Sequence, residues 1–228
     1  MDNEEYPNDL IIVWWLKRPS FYSRALSLFT GKFTHVESIP YLPESKSQFR
    51  FQVYEGHKAT FEHLHENPYA GMEVVAVRVK VTREQYRRYK EWAEAAVGKA
   101  YNKNWFKFPI PKELLPQSEE NDIPSKMFCS QAMLLALKHT FEDDRRISYV
   151  LSEYNHETTY PSDIYTIILK CINNGSLKDK VYYVDPQTIW TGNVQDLKTK
   201  PEAFNMYNFN RLYEEPEIPQ FSLWTFLS

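Results

Sequence analysis

From Leu10 to Leu16 every residue is apolar (Leu-Ile-Ile-Val-Trp-Trp-Leu), the pattern of a central strand buried on both faces. Past Pro19 the spacing becomes helical. Phe21, Ala25, Leu28 and Phe29 share one face, and Gly31 closes the element. Phe33 to Ile39 reads as the next strand, and Phe49 to Tyr54 alternates as a half-buried third. Glu73 to Val81 ends in strict alternation and is the most regular strand pattern in the chain.

Thr82-Arg83-Glu84-Gln85 fits a capping box, and Tyr86, Tyr89, Trp92, Ala93 and Ala96 give the following helix one apolar face before Gly98. Residues 99–126 carry Pro109, Pro111, Pro116 and Pro124 and predict a long loop. A helix over Met127 to His139 follows, then a polar link and a short helix around Ile147 to Leu151. Pro161-Ser162-Asp163 opens a helix through Cys171, which Asn173-Asn174-Gly175 ends, and Val181 to Val184 reads as a last strand. Beyond Pro186 the pattern is irregular but keeps Trp190, Phe204, Tyr207, Phe209, Tyr213 and Trp224. That segment, 186–228, is expected to wrap over the core of a single domain spanning 1–228.

Composition narrows the chemistry. Hydrophobic residues make up 43% and aromatics 16% of the 228 residues, so the chain is rich enough to fold. A net charge of −3 argues against a nucleic-acid partner, which needs a basic surface. The six glycines form no phosphate-cradling motif. Two cysteines, Cys129 and Cys171, make no disulfide framework. The acidic start (Asp2, Glu4, Glu5) lacks a signal-peptide pattern, and no apolar run reaches the length of a membrane span. A soluble, cytoplasmic protein in a reducing compartment is expected, with at most transient contact with a membrane surface.

In that setting Cys129 stands out. It opens the apolar run Ala132-Met133-Leu134-Leu135-Ala136-Leu137, so it falls on the first turn of a helix, where free N–H groups and the helix dipole favour a thiolate. A small buried hydrophobe at a helix start is the competing reading. Upstream, Thr34-His35-Val36-Glu37 lies on a strand, so His35 and Glu37 face one way and Val36 the other. An imidazole flanked by a carboxylate is the base-and-orienter half of a nucleophilic triad.

Several segments, in order, resemble the circularly permuted NlpC-type papain-like superfamily, which has bacterial and viral members, poxvirus proteins included. Asn8-Asp9-Leu10-Ile11-Ile12-Val13 is similar to that family's opening Gly-Asp-Leu strand, with Asn8 in the glycine's place. Thr34-His35-Val36-Glu37 resembles its histidine strand, and Gly98-Lys99-Ala100-Tyr101-Asn102 its Gly-x-x-Tyr-Asp/Asn segment. Phe128-Cys129-Ser130-Gln131 resembles its nucleophile motif, and Pro161-Ser162-Asp163-Ile164-Tyr165 its late Pro-x-Asp-Leu-Tyr. The resemblance covers residues 8–170. It implies an α+β fold in which an antiparallel, partly barrelled sheet carries His35 and Glu37 against the Cys129 helix. It also implies Cys129 as nucleophile, His35 as base and Glu37 as third member.

The oxyanion would be held by the Cys129 N–H, with Tyr101, Ser130 and Gln131 as oxyanion or substrate-binding candidates; packing against the helix is the equal alternative for Tyr101. The activity expected is that of a thiol hydrolase of the amidase or peptidase type on a peptide, amide or acyl-lipid substrate. An acyltransferase or lipid esterase with the same triad, and a non-catalytic scaffold, remain as alternatives. No cofactor is called for.

Three further signals carry bland readings. His63-x-His65, with His57 nearby, is taken as a surface loop and not a metal site, because no thiol or carboxylate is spaced to complete one. Lys99, Lys103, Lys107 and Lys112 among Tyr101, Trp105, Phe106 and Phe108 read as a packed aromatic cover, with a lip for an anionic substrate or lipid headgroup as the alternative. Glu142 to Arg146 reads as a solvated link.

Overall fold

The computed structural model describes residues 8–16, 33–41, 49–54, 56–64, 69, 74–102, 123–184 and 196–197. The described residues form a mixed α+β structure with an antiparallel sheet and four helices. Strand β1 (Asn8–Leu16) lies between β2 (Phe33–Tyr41) and β5 (Val74–Val81). Outside β2 come β3 (Phe49–Gln52) and β4 (Thr60–His63), and outside β5 come β8 (Val181–Val184) and β9 (Asp196–Leu197). Among the described residues the pairing thus runs from β4 to β9 as an open order. A short parallel pair, β6 (Ala100–Tyr101) with β7 (Lys126–Met127), stands apart.

The apolar run of β1 follows from this central place. Leu10, Ile12 and Trp14 enter the main core, which the helices cover; Ile11 and Val13 enter a smaller cluster with Ile39, Tyr41, Leu64 and Tyr69. All four helices contribute to the main core: α1 (Arg83–Ala96), α2 (Cys129–Thr140), α3 (Arg145–Ser152) and α4 (Pro161–Asn173). Helix α2 is buried nearly all round, as a helix at the centre of a layer must be.

Helix starts follow their local sequences. The Thr82 Oγ1 accepts from Gln85 N–H at 3.1 Å, and the Gln85 side chain accepts from Thr82 N–H at 3.0 Å. Pro161 begins α4, and Asp163 Oδ2 accepts the Tyr160 N–H at 2.7 Å, so the Pro-x-Asp motif has a local structural job. Trp14 Nε1 donates to the Pro161 carbonyl at 3.0 Å, fastening that helix start to the central strand. Gly98 leaves α1 with φ of +83°, a left-handed turn that glycine enters without strain. Its N–H donates to the Ala59 carbonyl at 2.9 Å.

Several expectations need correction. Met127 belongs to β7, so α2 begins at Cys129 and runs to Thr140. The third strand stops at Gln52, and β4, which no clear alternation announces, pairs with it. The link after α2 is not merely solvated: Asp144 caps α3 by accepting from Arg146 and Ile147 N–H, and Arg88 of α1 pairs with Asp143 at 2.9 Å. The expected helix past Pro19, the loop lysines beyond residue 102 and His65 lie outside the described residues. Of the extension 186–228, only Asp196 and Leu197 are described, as edge strand β9. No helix among the described residues is long and apolar enough to cross a membrane.

Candidate active site

Strand alternation puts His35 and Glu37 on the sheet face away from the helices, the face of Ile39 and Tyr41. Val36, between them, enters the main core. Cys129 is the first residue of α2 and approaches from the helical side. Its sulfur meets both the His35 ring and the Val36 backbone of β2. The Val36 and Ser130 N–H groups both hydrogen-bond the Cys129 sulfur, and the His35 ring adds a side-chain hydrogen bond. Phe128, at the N-cap, supplies no side-chain cap, so the first turn keeps N–H groups for a negative charge.

Charge and burial compete at this pair. Burial alone would raise the Cys129 thiol, but the His35 charge and hydrogen bond, with the two backbone N–H groups, bring it below its ordinary value. Burial would lower the His35 imidazole; the charge and hydrogen bond of Cys129, then the nearby Glu37 carboxylate, overturn this and lift it from 6.5 to about 9. Each group thus favours the charged form of the other. Cys129 is 8% and His35 5% exposed, so water screens this attraction little. Cys171 contrasts with it: burial pushes its thiol up to about 11, the state of an inert core cysteine.

Glu37 is 1% exposed, with Oε2 3.4 Å from His35 Nε2. The N–H does not aim at that oxygen well enough for a hydrogen bond, so this contact is an ion pair without one. The other oxygen, Oε1, accepts from the Tyr69 hydroxyl at 2.5 Å. Two rings flank the imidazole edge-on, Trp15 at 4.9 Å and Tyr54 at 5.6 Å between centroids. Trp15 lies there because β1–β2 register sets it opposite His35.

The remaining candidates are placed differently. Ser130 turns its hydroxyl to the Thr159 carbonyl at 2.7 Å, so its side chain ties α2 to the segment before α4, and only its N–H meets the sulfur. Gln131 is buried in the same first turn. Tyr101 lies on β6 opposite Met127, half-buried against the main core, which is the packing alternative named for it. Tyr69, Trp15, Tyr54 and the Val36 N–H were missed: only the β1–β2 pairing carries a sequence signal for Trp15, and nothing local announces the others. His63 is exposed on β4, and His57 sits beside Tyr54. Among the described residues no group of three or more His, Cys, Asp and Glu side chains is placed to hold a metal ion.

No protein-family model matches this chain, and no curated protein sequence matches it. Among solved structures, it is similar to the metalloprotein YiiX of Escherichia coli O157:H7, of DUF1105, with a TM-score of 0.41 and 16% identity over 60% of this chain and 68% of that one. So distant a likeness carries no functional argument.

Proposed function

We propose that this protein is a thiol-dependent hydrolase with a permuted papain-like (NlpC-type) arrangement, cleaving amide bonds through an acyl-enzyme on Cys129. One observation carries the reading: a buried cysteine opening a helix meets a buried imidazole, each favouring the other's charged form, with a carboxylate behind the ring. A merely structural cysteine has no use for such a partner. In the reaction the thiolate attacks the carbonyl carbon, and its electron pair moves to the oxygen, which the free N–H groups at the α2 start stabilise. The tetrahedral adduct collapses as His35 gives its proton to the departing amine. Water then loses a proton to His35 as it attacks the thioester, and the thiolate leaves again. Glu37 supports the imidazolium in both halves.

The substrate class is a peptide, amide or acyl lipid. Acyl transfer follows the same route with another acceptor in place of water. The low exposure of Cys129 favours a second reading, a fold kept for binding without turnover. Labelling with thiol-directed acyl probes separates them. Wild type should label at neutral pH, with labelling lost in Cys129→Ala and strongly reduced in His35→Ala. Equal labelling of wild type and Cys129→Ala would end the enzyme reading.

A further inference from the structure

We infer that Tyr69 is a fourth member of the Cys129–His35–Glu37 site, a positioning residue whose hydroxyl fixes the Glu37 carboxylate in the orientation that supports His35. The inference rests on the proposed thiol chemistry and deepens it. Glu37 sits at 1% exposure in mid-strand, where an ionised carboxylate is costly unless hydrogen-bonded. Its oxygen toward His35 makes a 3.4 Å contact with no aligned hydrogen bond. The Tyr69 hydroxyl donates to the opposite oxygen at 2.5 Å, within the range of bonds to charged oxygen. That bond offsets part of the cost of burying the carboxylate and fixes which oxygen faces the ring.

The anchoring of Tyr69 suits this role. Its ring is 0% exposed in the cluster with Ile39, Tyr41 and Leu64, so packing fixes the hydroxyl over the β2 face. Burial and the Glu37 charge both keep the phenol protonated, hence a donor, with Arg50 as the nearby opposing charge. The charged and titratable groups facing this relay are Cys129 and Glu37 around His35; His35, Tyr69 and Tyr89 around Glu37; and Glu37 and Arg50 around Tyr69. Tyr89 is itself engaged with the Ser38 hydroxyl. Tyr69 therefore stands across the carboxylate from the ring, where it sets the oxygen that the imidazolium sees.

The test is the pH profile of Cys129 alkylation by iodoacetamide in the full-length protein, comparing wild type with Tyr69→Phe, Glu37→Gln and the double variant. Tyr69→Phe keeps the ring and removes the donor. Its acidic midpoint should rise by about one pH unit, about tenfold in thiolate stabilisation. Glu37→Gln should move it the same way, and the double variant no further than Glu37→Gln alone. A Tyr69→Phe profile that superimposes on a low wild-type midpoint, while Glu37→Gln shifts, overturns the role of Tyr69 and leaves the thiol chemistry standing. A wild-type midpoint at the ordinary thiol value of about 8.5 overturns both. Should Tyr69→Phe not fold, the NMR signals of the Tyr69 ring in unsubstituted protein decide: they should titrate with the alkylation midpoint, and a flat response overturns the inference.

Discussion

Replacing His35 with alanine asks the most of the proposed pair. In the folded protein the imidazole is lifted from 6.5 to about 9 even though burial works against it, which corresponds to roughly 3 kcal/mol of net preference for the charged ring. Much of that preference comes from Cys129, and coupling between two sites is reciprocal, so the thiolate receives a comparable share. Remove the ring, and the burial that His35 had outweighed faces only the Val36 and Ser130 N–H groups. The thiol should then return to the ordinary value of about 8.5 or above it. The wild-type midpoint should lie below the ordinary thiol value, so loss of the ring should displace it upward.

Rate at a single pH is a poor readout, because a thiolate of higher pKa is intrinsically the stronger nucleophile and part of the loss cancels. The assay is therefore the full dependence of alkylation rate on pH, with the labelled site confirmed by mass spectrometry. Midpoints within half a pH unit of each other would refute the coupling that underlies the site.

Four further outcomes follow from the same structure. Turnover needs the thiolate together with a protonated His35, so hydrolysis of an acyl substrate should decline as pH rises through about 9, when the imidazolium loses its proton; a rate still rising well above that pH would contradict the ion-pair form. Cys171→Ser should leave the labelling rate at neutral pH unchanged, because that thiol is held at about 11, and slower labelling would show that the two cysteines had been confused. Trp14→Phe removes the buried donor to the Pro161 carbonyl and trims a fully buried side chain, so urea unfolding should report a loss of about 2–4 kcal/mol, whereas a loss under about 0.5 would mean the bond is replaced. Gly98→Ala meets no atom within 4 Å of its new Cβ, so only the left-handed φ opposes it; about 1 kcal/mol of destabilisation is expected, and a neutral result would indicate that the turn relaxes.

Much of the architecture was legible because it rests on short-range periodicity. The unbroken apolar run of β1 required neighbours on both faces, and β2 and β5 flank it while two clusters cover it. The Thr82–Gln85 cap and the Pro161–Asp163 start are contacts over three residues or fewer, written in adjacent letters. Strand alternation sufficed to put His35 and Glu37 on one face. Chain order alone gave Cys129 the first turn of a helix.

What the sequence could not supply were relations between segments. That the Val36 N–H meets the Cys129 sulfur depends on how the helix start docks against β2. That Trp15 flanks His35 depends on strand register, and that Tyr69 holds Glu37 depends on the packing of its ring in the cluster with Ile39, Tyr41 and Leu64. Ser130 was a substrate-binding candidate by position, yet its hydroxyl serves the Thr159 carbonyl 29 residues away. Periodicity fixes the face a side chain takes on its own element. Which partner waits on that face is decided by burial and hydrogen-bond satisfaction across the whole core, and no local pattern encodes it.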